Sequence, residues 1–172
     1  MELHDIFASR KSIRSFTGEM IPDEILEKII YAADASPVGM GKYENVHLSI
    51  ITDKALLKAI EDNAAAALDA PGRSFLYGAP MLILVSANGD GNVAHSNAAI
   101  IVQDMVLEAV NCGAGCCHIW GCVMPLAKNA ELTAKLGVPA GFTPVCGIAL
   151  GLTDEKYETR EIPAGRIGIS RI

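Results

Sequence analysis

The sequence has no long apolar run. No segment approaches the roughly 20 consecutive apolar residues that a membrane-spanning helix needs, and the N-terminus, Met1-Glu2-Leu3-His4-Asp5, does not resemble a signal peptide. The five cysteines are an odd number for a chain of 172 residues, which argues against a disulfide framework. These absences predict a cytoplasmic protein with reduced thiols and no membrane partner.

Aromatic residues are also scarce, and the net charge is negative. Aromatics make up 5% of the residues and hydrophobic residues 51%, so the core should be aliphatic and rich in alanine. The net charge of −6 disfavours nucleic acid as a partner, because binding a phosphate backbone requires a basic surface. The length predicts one domain over residues 1–172. The high apolar content favours either a well-filled core or a subunit interface.

The usual signatures of metal and nucleophilic catalysis are missing. Cys112, Cys116, Cys117 and Cys122 lack the spacing of zinc and iron–sulfur sites. The four histidines have no paired metal-ligand spacing, and G-x-S-x-G, P-loop and G-x-G-x-x-G motifs are absent. We therefore expect no metal.

The periodicity of the apolar residues predicts alternating helices and strands. Helical spacing predicts helices over residues 22–35, after the Asp53 cap through the alanines at 64–67, from 96 or 97 to 112, and over 128–136. Apolar runs predict strands over 46–52, 80–87, 116–123 and 142–150. The longest helix is apolar on so much of its surface that it should be buried on more than one side. Either a core helix of a monomer or a dimer helix would satisfy that pattern.

Positive charge is concentrated near the N-terminus, in Arg10-Lys11-Ser12-Ile13-Arg14. Arginine offers a planar fork of donors, lysine a point charge and serine a hydroxyl, and together these groups suit a phosphate monoester. A solvated turn between two helices is the alternative.

Four stretches, in order, resemble the nitroreductase family of FMN-dependent oxidoreductases. They are Arg10-x-Ser12-x-Arg14, the helix start Pro22-Asp23-Glu24, the segment 33–40 (ADASPVGM), and the helix 98–111 that leads through Gly113-Ala114-Gly115 to His118-Ile119-Trp120-Gly121. The resemblance implies an α+β fold with a central mixed β-sheet flanked by helices. It also implies a homodimer through the long helix, with two flavins at the interface and a C-terminal tail that crosses to the partner.

The resemblance further implies a cofactor, FMN, and the residues that hold it. Arg10, Ser12 and Arg160 would grip the phosphate, with the backbone of Lys11 as a further donor, and Arg14 would lie near the N1/O2 edge of the ring and tune its reduction. One side of the ring would be lined by Pro37, Val38, Gly39 and Met40, and the backbone of Trp120 and Gly121 would approach N5. No side chain is expected to be catalytic, since flavin N5 carries the chemistry.

The activity implied by the resemblance is a ping-pong cycle. NADH or NADPH would reduce the flavin, which would then reduce a nitroaromatic, quinone or similar electron-poor small molecule. Two alternatives stay open: a different flavin chemistry on the same scaffold, such as dehalogenation or flavin fragmentation, and a non-catalytic flavin carrier. An assay of NADH consumption distinguishes a carrier from an oxidoreductase.

Overall fold

Four strands form one sheet in the computed structural model, which describes residues 2–89 and 91–172. The strands are β1 (Val46–Ile51), β2 (Met81–Asn88), β3 (Gly115–Ile119) and β4 (Phe142–Gly151), in the order β1-β2-β4-β3. Each of the three pairings is antiparallel. The α+β class is thus confirmed. The mixed sheet that the resemblance implies is not found among the described strands, because each strand runs opposite to the neighbour with which it pairs.

Helices cover both faces of the sheet. They are α1 (Leu3–Ser9), α2 (Asp23–Ala35), α3 (Lys54–Ala67), α4 (Asn92–Asn111), α5 (Val123–Leu126) and α6 (Ala130–Lys135). Along β2, Met81, Ile83 and Val85 pack in the core formed with α1, α2 and α4, and Leu82 and Leu84 pack in the core formed with α3 and α5. This central strand is therefore buried on both faces, which explains its unbroken apolar sequence.

The helix ends follow the local signals in the sequence. Asp23 and Glu24 lie in the first turn of α2, and this helix ends before Ser36-Pro37. The Asp53 carboxylate accepts a hydrogen bond from the Leu56 N–H at 2.9 Å and caps α3. The α4 helix begins at Asn92, four or five residues earlier than predicted, because Asn92, His95, Ser96 and Asn97 interrupt the apolar periodicity at its start.

The long helix α4 is central to this single chain. It packs against α2, α1 and strands β2, β3 and β4, and Val102, Met105, Ala109 and Val110 on it are fully buried. The prediction that it is buried on more than one side is confirmed. No helix in the described part of the chain is long and apolar enough to cross a membrane.

The strand predicted over 116–123 is wrong in its second half. β3 ends at Ile119, Trp120 and Gly121 form a turn, and Cys122 and Val123 are buried at the start of α5. A short apolar run does not distinguish a buried strand from a buried helix. Pro125 is tolerated because it lies in the first turn of α5, where its missing N–H breaks no helical hydrogen bond.

Candidate functional site

The cationic segment, residues 10–14, lies along the outer edge of β3 rather than in a solvated turn. The Ile13 N–H donates to the Cys116 carbonyl at 2.9 Å, and the Ile13 side chain is fully buried. Burial raises the pKa of the nearby Cys117 thiol, and Arg14, the Ser12 hydroxyl and Arg10 each partly offset that rise. Arg10, Ser12 and Arg14, which the resemblance assigns to the phosphate and the ring, therefore all lie near Cys117 on β3.

Residues 152–160 run beside the cationic segment and carry Arg160 to it. The Thr17 N–H donates to the Leu152 carbonyl at 3.0 Å, and the Thr153 hydroxyl donates to the Ser15 carbonyl at 2.8 Å. At the far end, Arg160 donates from Nε to the Ala8 carbonyl at 3.2 Å and from Nη2 to the Arg10 carbonyl at 2.6 Å. The structure thus brings the Arg160 guanidinium to the backbone of Arg10, and the phosphate role that the resemblance implies for both arginines stays a prediction.

Arg160 also has a structural role that the sequence did not indicate. Its bonds to the carbonyls of residues 8 and 10 satisfy acceptors at the C-terminal end of α1. Two of the five guanidinium N–H groups are used in this way, so the others are available to an anion.

The Lys11 side chain already has a partner within the chain. Its Nζ forms an ion pair with Glu155 at 2.8 Å, and this hydrogen bond lowers the pKa of the Glu155 carboxyl. We predicted that the backbone N–H of Lys11 donates to the FMN phosphate, and that role stays a prediction. The guanidinium groups of Arg10 and Arg14 form no ion pair among the described residues, although the Arg14 backbone N–H donates to Glu155 Oε1 at 3.5 Å.

The loop between α3 and β2 lies close to both Arg14 and Gly121. The Arg14 guanidinium carbon lies 5.8 Å from the centre of the Tyr77 ring, and a Cβ on Gly121 would lie 3.5 Å from Phe75 Cδ1. Glu61 holds this loop by accepting hydrogen bonds from the N–H groups of Phe75, at 2.7 Å, and Leu76, at 2.9 Å. The sequence reasoning missed Phe75 and Tyr77, although two aromatic residues just after Pro71-Gly72 are conspicuous in a chain so poor in aromatics.

Trp120 and His118 lie next to each other at the end of β3. Their ring centroids are 5.7 Å apart, and the Trp120 side chain is 41% exposed. Burial, and secondarily Arg10, lowers the pKa of His118, which favours a neutral imidazole. His118 Nε2 is buried and has no hydrogen-bond partner among the described residues. An orphaned polar atom beside Arg10 fits a site that a polar ligand completes.

Residues 37–40 lie in a different part of the molecule. Val38 is buried, the Gly39 N–H donates to Asn97 Oδ1 on α4 at 3.1 Å, and Met40 is 83% exposed. This segment is near the Val46 and Ala87 end of the sheet, whereas the cationic segment lies beside Cys116, which aligns through Leu150 with Met81. The strand from Met81 to Ala87 measures about 20 Å. One chain therefore does not bring all the predicted residues together.

The fold and the site define a three-layer α+β protein with a cationic segment along a sheet edge. Known proteins share this fold. A nitroreductase with bound FMN from Desulfitobacterium hafniense DCB-2 superposes with a TM-score of 0.84, covers 99% of this chain and 100% of its own, and is 24% identical. A nitroreductase with bound FMN from Bacteroides fragilis gives a TM-score of 0.82 at 22% identity, with 99% and 100% of the two chains covered.

Sequence comparison places the chain in a family. The model of the Nitroreductase family matches residues 7–152. A Methanothermobacter thermautotrophicus protein provisionally named an NADH dehydrogenase/NAD(P)H nitroreductase is 24% identical over 167 residues, which is 94% of this chain and 83% of that protein. This chain belongs to the nitroreductase family.

Proposed function

We propose that this protein is an FMN-dependent NAD(P)H oxidoreductase, built as one domain over residues 1–172. The observation that carries the proposal is the meeting of Arg10, Ser12, Arg14 and Arg160 at the edge of β3 in an acidic protein. The names of similar proteins support the same cofactor and reductant, since two of them contain FMN and one is named for NAD(P)H.

Each group at this edge has a role toward FMN. Arg10, Ser12 and the free N–H groups of Arg160 would bind the phosphate through charge-assisted hydrogen bonds, with the Lys11 backbone as a further donor. Tyr77 holds the Arg14 guanidinium by a cation–π contact, and the positive charge there would stabilise negative charge at the ring's N1/O2 edge. Trp120 and Gly121 would present backbone to N5, and the Phe75 ring lies beside Gly121.

The bound FMN would supply the redox chemistry, taking a hydride equivalent from NADH or NADPH and passing electrons to a nitroaromatic, quinone or similar acceptor in a ping-pong cycle. The protein would orient the ring and limit the access of water to it.

The proposal includes a homodimer, because a second copy would complete the site. In one chain, residues 37–40 lie about 20 Å along the strand direction from the cationic segment. We therefore propose that Pro37, Gly39, Met40 and the backbone of Val38 from a second copy line the ring. Apolar side chains are exposed on three elements that such a dimer could bury: Leu3 and Phe7 on α1, Val93 and Ile100 on α4, and Ile162, Ile167, Ile169 and Ile172 in the tail. We propose that α4 forms the centre of this interface and that the tail crosses to the partner.

The compartment proposed is the cytoplasm. Its basis is the odd number of cysteines, all five of which are free in the structure.

The purified protein is expected to be a yellow dimer, with twice the chain mass of 18.2 kDa by light scattering. It should consume NADH or NADPH when a quinone or a nitroaromatic is added, and the absorbance at 340 nm measures this. A flavin-loaded protein that consumes neither reductant with any acceptor in such a panel would be a carrier, and the proposed activity would be wrong.

A further inference from the structure

A groove adjoins the candidate flavin site. It has a volume of about 640 Å³ and lies between the C-terminal end of α3 and the segment that contains α5 and the start of α6. It is lined by Asn63, Ala67, Leu68, Gly121, Met124, Pro125, Lys128, Asn129 and Ala130. The volume is typical of a site for a small organic molecule, and Gly121 belongs both to the groove and to the proposed flavin contacts.

The walls of the groove are mostly apolar, and hydrogen bonds join its two sides. Leu68 is 49% exposed and Met124 is 66% exposed, and the thioether of a methionine packs well against an aromatic ring. The Asn129 carboxamide donates to Asn63 Oδ1 at 2.8 Å, while its own oxygen accepts from the Leu132 N–H at 3.0 Å. These bonds tie α3 to α6, so the groove exists before any ligand enters.

Lys128 is the one charged side chain among the residues that line the groove. It has no ion pair with the described residues, whereas Lys58 on α3 is paired with Asp62 and Lys135 on α6 with Glu131. In a protein of net charge −6, an uncompensated lysine next to an apolar wall favours a ligand that carries negative charge.

We propose that this groove binds an aromatic ring with an anionic substituent, the ring against Leu68, Met124 and Gly121 and the anion at Lys128. The inference rests on the proposed function, because the groove is a substrate site only if Gly121 adjoins the flavin. Two substrates share this chemistry: an acceptor such as a nitrobenzoate, and the nicotinamide dinucleotide with its phosphates.

The first test compares acceptors that differ in charge. In Lys128→Gln, kcat/KM for 4-nitrobenzoate should fall about threefold to fivefold while that for neutral nitrobenzene is unchanged, and Lys128→Glu should lower the nitrobenzoate value further, because an exposed charge pair contributes up to about 1 kcal/mol. Lys54→Gln is the matched control, since it removes the same charge about 20 Å away at the other end of α3.

A second arm identifies which substrate occupies the groove. The rate of anaerobic flavin reduction by NADH is measured in the same variants. A loss confined to nitrobenzoate assigns the groove to the acceptor, and a loss confined to reduction by NADH assigns it to the dinucleotide; both support the site. Unchanged rates in both arms, or an equal loss with nitrobenzene, overturn the proposal.

A third measurement needs no turnover. Benzoate is titrated into the purified protein and the methyl resonance of Met124, identified by its disappearance in Met124→Leu, is followed by NMR. We expect a saturable shift that is weaker in Lys128→Gln. If the Met124 signal does not move in a protein that oxidises NADH, the groove does not bind the ligand, and the proposed oxidoreductase function is unaffected. If the signal shifts in a protein that binds no flavin, the groove binds anions but the proposed function is wrong.

Discussion

Replacement of Arg10 by alanine is expected to weaken FMN binding by about 10-fold to 150-fold. The estimate follows from the loss of one charge-assisted contact to a phosphate, about 1.5–3 kcal/mol. The fold should be little affected, because the Arg10 side chain has no ion pair among the described residues, and the Arg10 carbonyl that Arg160 uses is retained.

Calorimetric titration of apo-protein with FMN measures this change. Arg171→Ala is the control, since it removes the same charge from the exposed C-terminal tail. If Arg10→Ala binds FMN as tightly as the parent protein, the phosphate does not lie at the cationic segment.

Replacement of Arg160 by alanine is expected to have two effects. FMN affinity should fall by at least as much as in Arg10→Ala, about 10-fold or more, because Arg160 would supply phosphate contacts and also holds the Arg10 backbone. The C-terminal tail, residues 153–172, should also detach more easily from α1 and the cationic segment, since the bonds to the Ala8 and Arg10 carbonyls would be lost.

Arg160→Lys separates the two effects, because lysine keeps the charge but lacks the planar fork that reaches both carbonyls. Affinity is measured by the same titration, and tail release by the rate of subtilisin cleavage after residue 152. Arg166→Ala, also in the tail, controls for charge. Normal affinity with rapid cleavage would show that Arg160 only anchors the tail.

Local signals in the sequence predicted most of the elements. Pro22 and Ser36-Pro37 bound α2, and Asp53 caps α3, because these signals depend on a few neighbouring residues. The direction of the strands and the end of β3 at Ile119 depend instead on tertiary packing, and periodicity does not contain that information.

The candidate site was predictable only in part for the same reason. Arg10, Ser12 and Arg14 could be identified because they are close together in the sequence. Phe75 and Tyr77 are conspicuous as aromatics, but their place at the site depends on the fold of their loop, which Glu61 on α3 and the Ser74 hydroxyl hold. The distance of residues 37–40 from the cationic segment appears only when the register of the sheet is known.

The most direct test of the flavin site uses Trp120, the only tryptophan in the chain. Its indole is half exposed beside His118 and follows β3, so a flavin ring near Gly121 should quench its emission strongly. Titration of apo-protein with FMN should reduce the fluorescence saturably, with an end point of one flavin per chain, and Trp120→Phe should shift the visible spectrum of the bound flavin. A fully flavin-loaded protein with unquenched tryptophan emission would contradict the account and place the flavin elsewhere.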